Sequence, residues 1–267
     1  MKIKLLLISM LFFSYIYSFK IDNLVPRREK RTMTTSVVVP CVARHFLWLS
    51  GMLESYENQT VRPDEVIISI SEVEKLNPKE INDLEAGMWS FKLKVIRKKG
   101  VILDGDNRTI AMDNASGEIL IFSDADDIPH PQRVEIAKFI FENYEVDHIL
   151  HGMANSRKED FNLSKLDDLE ILKFNNFGQI LNFATNTGFA ITTGSPCFLR
   201  KVGEKIKWEA IKDQEHAHKV YNLFKNNIVL CSRLILYRMF LSSHGNRNAG
   251  MIKDILIPKC YINNQTR

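Results

Sequence analysis

From Thr35 onward, apolar and polar positions alternate between two periods, and the switches between them predict strands and helices in turn. Thr35 to Pro40 (TSVVVP) is a β-branched run closed by proline, which predicts a buried strand. Phe46, Leu49, Leu53 and Tyr56 follow at helical spacing and form one apolar face. After Pro63, the run Val66 to Ile68 predicts a second strand, Pro78 to Ser90 a helix, and Leu93 to Ile96 a third strand. Gly100 to Asp106 is rich in turn formers and reads as a loop, and Arg108 to Ser116 as a short helix stopped by Gly117. Glu118 to Phe122 then predicts a fourth strand that runs straight into Asp124, Ala125, Asp126 and Asp127. Beyond Pro129 and Pro131, an amphipathic helix carries Val134, Ile136, Ala137, Ile140 and Phe141. Strands alternating with helices at this spacing predict an α/β fold with a mostly parallel sheet, whose ligands bind beyond the carboxyl ends of the strands. After residue 150 the pattern weakens. Phe198-Leu199 suits a strand, Ala210 to Phe224 a helix, and Ile228 to Phe240 one or two strands.

The N-terminus follows a different logic. Lys2 and Lys4 precede an uncharged run from Leu5 to Tyr17, the form of a signal peptide or of an uncleaved signal anchor over residues 1–19. That run is shorter than the roughly 20 apolar residues of a comfortable membrane span. Residues 20–33 are polar and basic and read as a linker. Arg27, Arg28, Lys30 and Arg31 outnumber the two lysines before the apolar run, which favours a cytosol-facing anchor under the positive-inside rule. A cleaved signal implies the secretory lumen instead, so both localisations stand as expectations.

Composition narrows the function classes. Net charge is +4, from 36 basic against 32 acidic residues, and no stretch combines dense basic charge with interleaved aromatics, which argues against a nucleic-acid partner. Cys41, Cys197, Cys231 and Cys260 are widely spaced without a C-x-x-C pair, so neither a zinc site nor a disulfide framework is expected. Five N-x-S/T sequons begin at Asn58, Asn107, Asn114, Asn162 and Asn264; several fall on expected helix ends or loops near the site, where a glycan does not fit.

The chemistry concentrates in the acidic cluster. Asp124 and Asp126 are one residue apart just past a strand, and Asp127 adds a third carboxylate. Carboxylates converging on one point repel unless a cation sits between them. A hard divalent cation held by one or two carboxylates and substrate phosphates suits them; the plainer reading is helix capping, where Asp is also favoured.

These pieces, in this order, resemble family 2 glycosyltransferases over about residues 35–145 and more loosely to 245: Ser36 to Pro40, Gln59-Thr60, Pro63 to Ile68, Arg108, Ala115 to Phe122, and Asp124 to Asp127. The resemblance implies a GT-A fold over residues 34–245, a Rossmann-like, mostly parallel sheet flanked by helices with a mixed acceptor-side C-terminal part. Its nucleotide-sugar-binding half is expected at 34–147, its acceptor-binding half at 148–245, and a tail at 246–267. It implies Mn²⁺ or Mg²⁺ as cofactor, with Asp126 as main metal ligand, Asp124 near the ribose or the metal, and Pro40, Ala125 and Arg108 beside the nucleotide. A guanidinium such as that of Arg108 is suited to pair with a diphosphate or stack near a base. Where the family has an acidic residue after the second strand, this chain has Ile70-Ser71-Glu72, so Ser71 or Glu72 takes the base or ribose and UDP is expected by family habit. Asp213-Gln214-Glu215 resembles the family's late acidic pair, although Lys212 replaces the usual preceding acid. Either Asp213 or Glu215 is then the base that takes the acceptor proton, with inversion at the anomeric carbon. Acidic residues in a first helical turn also serve the helix dipole. His244 matches a region where some GT-A enzymes place a metal-binding histidine. His216 and His218 are two apart and diverge on a helix.

The partners implied are a nucleotide-sugar donor, a UDP-sugar by family habit, and a glycan, protein or lipid acceptor, with membrane association through the N-terminus. Three rivals stand beside this reading. A haloacid-dehalogenase-type phosphatase expects Thr or Val shortly after its second Asp, where this chain has Asp127-Ile128. A nucleotidyltransferase expects a Gly-rich basic loop after the first strand, where this chain has Cys41 to Arg44 (CVAR). A catalytically decayed GT-A-fold binding protein is the third.

Overall fold

The computed structural model describes residues 19–154, 165–187, 194–208 and 213–237. Its centre is a parallel block. Strand β2 (Thr35–Val42) lies between β3 (Glu65–Ser71) and β5 (Ile119–Phe122), and β3 pairs with the edge strand β4 (Lys92–Arg97), all in parallel. Strands β2, β3 and β5 are buried almost throughout, as continuous β-branched runs in a sheet covered on both faces should be. Helices α1 (Leu49–Glu57), α2 (Pro78–Glu85) and α3 (Asp104–Asp113) make the crossovers. A 3₁₀ turn over Ala43–Trp48 leads into α1. Asn77 caps α2 by accepting the Lys79 amide, with Pro78 in the first turn.

Past β5, in the acceptor-side part, the sheet is mixed, as the family resemblance implies. A short strand β6 (Asp127–Pro129) precedes α4 (Arg133–Asn143) and β7 (His148–Ala154). Strand β8 (Glu170–Leu172), helix α5 (Phe177–Thr187), strand β9 (Cys197–Leu199) and helix α6 (Arg200–Lys205) follow, then α7 (Asp213–Leu223) and β10 (Asn227–Tyr237). With β1 (Phe19–Lys20) at the far edge, the order across the sheet is β1-β8-β10-β7-β9-β5-β2-β3-β4. Strand β9 inserts antiparallel between β5 and β7, and β8 pairs antiparallel with β10, so among the described residues only β7 with β10 is parallel in this half.

The segment 20–33, expected as a linker, is instead packed on the domain. Strand β1 (Phe19–Lys20) pairs with β8, Ile21, Val25 and Met33 are buried, and Arg28 donates its amide to the Asn143 carbonyl. Ile21, Leu24 and Val25 form a small apolar cluster that the flanking charges obscure in the sequence. The expected loop over Gly100 to Asp106 also shortens, because α3 already begins at Asp104, where its acidic first turn suits the helix dipole. Among the described residues no helix is long and apolar enough to cross a membrane. Residues 1–18, with the expected signal segment, lie outside them.

Candidate active site

The carboxyl ends of β2, β3 and β5 meet at one edge of the sheet. Pro40, buried in β2, sits in register with Ser69 of β3, and the Ser123 amide donates to the Val38 carbonyl as the chain leaves β5. Asn107 of α3 locks this edge. Its side-chain amide donates to the Cys41 carbonyl at 3.0 Å, and its oxygen accepts the Ser69 hydroxyl at 2.6 Å. Asn107 is 1% exposed, so the sequon beginning there is closed to a glycan. Sequence reasoning passed over Asn107; its signal was a polar residue on the inward face of a short helix.

The acidic residues form a tight turn, closed by the Asp127 amide donating to the Asp124 carbonyl at 3.1 Å. Strand β6 then pairs antiparallel with β10, Asp127 facing Tyr237 in register, which fixes the turn to the second half of the sheet. Asp124 accepts Arg108 Nη2 at 2.7 Å, with the guanidinium almost wholly buried. Ala125 and Asp126 are buried. Asp127 is fully buried, and neither of its carboxylate oxygens has a hydrogen-bond partner among the described residues. Burial, then the charges of Asp124 and Asp126, hold its carboxyl well above the usual carboxylate range, against the pull of Arg133 and Arg108.

Arg133, in the first turn of α4, braces the turn from below. It is fully buried and donates to the Tyr56 hydroxyl at 3.1 Å and to the carbonyls of Phe122 and Gly194. One guanidinium thus ties α1, the end of β5 and the segment entering β9. This residue was also missed; a lone arginine among the apolar positions of α4 was the available signal.

Ser71 ends β3 with its hydroxyl buried and without a partner among the described residues. The next residue, Glu72, adopts a left-handed conformation (φ 59°, ψ 34°), uncommon outside glycine, and its carboxylate pairs with Lys75. Both therefore stand at the sheet edge that carries the acidic turn.

On the acceptor side, Asp213 opens α7 and Glu215 is exposed in its first turn. His216 points inward and is buried, while His218 is exposed, the divergence expected of that spacing. The His216 ring stacks on Trp208 with centroids 3.8 Å apart and planes 3° apart, and Trp208 lies beneath the Arg108 guanidinium at 5.3 Å. The structure thus brings Arg108, Asp124, Asp126 and Asp127 together and connects α7 to them through Trp208. His244 lies outside the described residues. Among those residues, no group of three or more His, Cys, Asp or Glu side chains forms a metal cage.

The mixed α/β sheet flanked by helices matches the fold of GT-A glycosyltransferases. The family model for glycosyl transferase family 2 matches residues 36–204, and the chain belongs to that family. No curated protein sequence matches it. Among solved structures, S. aureus TarS 1-349 in complex with UDP-GlcNAc superposes with a TM-score of 0.57 at 19% identity, over 76% of this chain and 58% of that one. The mannosyltransferase PcManGT from Pyrobaculum calidifontis, in complex with GDP-Man and Mn²⁺, gives 0.57 at 14% identity, over 86% and 62%. Glucosyl-3-phosphoglycerate synthase from Mycobacterium tuberculosis, with Mn²⁺, UDP and glucosyl-3-phosphoglycerate, gives 0.52 at 14% identity, over 83% and 75%. The chain spans about three fifths of the length of the first two.

Proposed function

We propose that the protein is an inverting glycosyltransferase that moves a sugar from a nucleotide-sugar, a UDP-sugar in the first instance, onto an acceptor hydroxyl with a divalent metal. The observation that carries this reading is the acidic turn itself: Asp127 is buried with both oxygens unpartnered among the described residues, beside Asp126 and an Asp124 already paired with Arg108. Such a turn is electrostatically incomplete without a cation. The donor set is all hard oxygen, which fits Mg²⁺ or Mn²⁺. Those ions take one or two carboxylates and fill their remaining positions with water and substrate phosphates, so a full protein cage is not required. Asp126 is the main ligand in this reading, with Asp124 at the ribose or the metal. When bound, the ion neutralises charge on the departing diphosphate.

The protein's own groups do the rest. Arg108 adds a buried, permanently charged guanidinium at the phosphate side. Pro40 and Ala125 wall the nucleotide site, and the Ser71 hydroxyl, without a partner among the described residues, or the Glu72 carboxylate takes the base or ribose. Asp213 or Glu215 accepts the proton of the acceptor hydroxyl as its oxygen attacks the anomeric carbon. The new C–O bond forms as the bond to the diphosphate oxygen breaks, in one displacement that inverts the anomeric centre. The nucleotides in the S. aureus and M. tuberculosis structures support a UDP donor, and GDP-Man in the P. calidifontis structure marks the competing one. The basic and apolar start, Lys2 to Tyr17, supports delivery to the secretory pathway or a membrane surface.

The test is nucleoside diphosphate release from a panel of UDP- and GDP-sugars with and without Mn²⁺. One donor turned over only with metal carries the reading. Failure of every nucleotide-sugar, with no metal-dependent nucleotide binding by calorimetry, replaces it with a binding protein on the same fold.

A further inference from the structure

A line of contacts runs from the acidic turn into the acceptor half, and it deepens the transferase reading on which it rests. Asp124 holds Arg108 at 2.7 Å, Arg108 sits 5.3 Å over the Trp208 ring, and Trp208 stacks face to face on His216 at 3.8 Å. Trp208 is also docked to α3 directly, its amide donating to the Thr109 hydroxyl at 3.0 Å, one residue from Arg108. A third contact joins it to Phe122, the last residue of β5 before the turn, at 5.2 Å. Trp208 thus touches the helix that carries the arginine, the strand that leads into the acidic turn and, through His216, the helix that carries the expected base.

The chemistry of the stack is coherent. A guanidinium is attracted to an indole face, the strongest of the aromatic partners, and more so where water is excluded. An imidazolium in the same stack would repel Arg108. His216 stays neutral: burial, then the Arg108 charge, lowers its pKa to about 3.

We propose that Trp208, clamped by His216, is a positioning residue that fixes the Arg108 guanidinium against Asp124 and thereby sets the affinity for the nucleotide-sugar donor. Arg108 is buried and long, with several rotatable bonds. A guanidinium held on a flat ring loses little further freedom when a diphosphate arrives, whereas an unclamped one must be ordered by the donor itself.

The test uses the full chain and donor-saturation kinetics. Trp208→Leu is expected to raise the donor KM about tenfold, with kcat within about threefold, and Trp208→Phe to recover most of the loss because a ring remains under the guanidinium. His216→Phe, which keeps a stacking ring, should hold KM near wild type, while His216→Ala raises it. In an Arg108→Met background, Trp208→Leu should raise KM no further, a silence that a merely structural tryptophan does not produce. An unchanged KM in Trp208→Leu, or an equal rise with and without Arg108, overturns the proposal. Unfolding midpoints of wild type, Arg108→Met, Trp208→Leu and the double variant read the bracket without any ligand, and additive midpoints overturn it as well. If the wild type turns over no nucleotide-sugar, the transferase reading falls on that result, and the midpoints still decide whether the bracket exists.

Discussion

Arg108 Nη2 lies 2.7 Å from Asp124 Oδ1, joining a buried helix residue to the first carboxylate of the acidic turn. The pair neutralises one of three neighbouring charges. Removing the cation side of a buried pair leaves a desolvated charge, which typically costs several kcal/mol. Asp124 retains some exposure, so Arg108→Met is expected to cost about 2–3 kcal/mol by urea unfolding and to raise the donor KM at least tenfold. Unfolding and kinetics indistinguishable from wild type would remove Arg108 from the site.

Asp127 presents the opposite case. Its carboxyl is held well above the ordinary range by burial and by Asp124 and Asp126, so the ionised form opposes folding at neutral pH. For a group whose folded pKa is raised, stability is present below the unfolded value and lost as pH rises through the folded one. Asp127→Asn is therefore expected to raise the unfolding midpoint of metal-free protein in EDTA at pH 7, by roughly 1 kcal/mol in stability. A fall in the midpoint contradicts an uncompensated charge at this position.

His148 is fully buried in β7, with neither ring nitrogen partnered among the described residues, and burial, then His216, lowers its pKa to about 3. The sign is set by the unfolded chain, which binds the proton first. The contribution is intact above about pH 6.5 and is lost as pH falls from there toward about 3, at up to about 1.4 kcal/mol per pH unit. Urea unfolding at pH 7.5, 6.5 and 5.5 should show wild-type stability falling relative to His148→Phe below pH 6.5, the contribution of Asp127 cancelling in the comparison. Parallel curves would mean that His148 titrates normally.

Gly117 shows why the run before β5 needs glycine. A Cβ there would meet the Ser36 amide and the Thr35 carbonyl carbon at 2.6 Å, backbone atoms of the central strand. Its amide also donates to the Ser36 hydroxyl at 2.7 Å, beside Glu65. Gly117→Ala is expected to cost about 1–3 kcal/mol, by forcing β5 from β2. Gly100→Ala, at a positive φ of 74° with open space around it, should cost less. An equal cost at both positions would contradict the close-approach account.

The parallel half of the fold was legible because its signals are dense. Val37 to Pro40, Val66 to Ile68 and Ile119 to Phe122 are unbroken apolar runs, and buried parallel strands require them. The acidic turn was legible because it follows such a run. Strand β7 was not, since His148, His151 and Gly152 interrupt its apolar pattern, and both histidines are buried for tertiary reasons. Helix α5, rich in Asn and Thr, likewise forms against weak propensity, with Phe177 and Ile180 buried against Tyr221 and Val229. Arg133 and Trp208 escaped notice because their roles depend on partners about 60 to 100 residues away, Gly194 and Thr109. No local pattern encodes such contacts.

The central claim is that the acidic turn binds a metal-associated nucleotide-sugar for transfer. Its most direct test is nucleoside diphosphate release from a donor panel with Mn²⁺ and with EDTA, for wild type and Asp126→Ala. The account predicts metal-dependent turnover of one donor by the wild type and a loss of at least a hundredfold in the variant, the scale of a lost charge-stabilising group. Turnover that persists in EDTA, or that Asp126→Ala leaves intact, would contradict it.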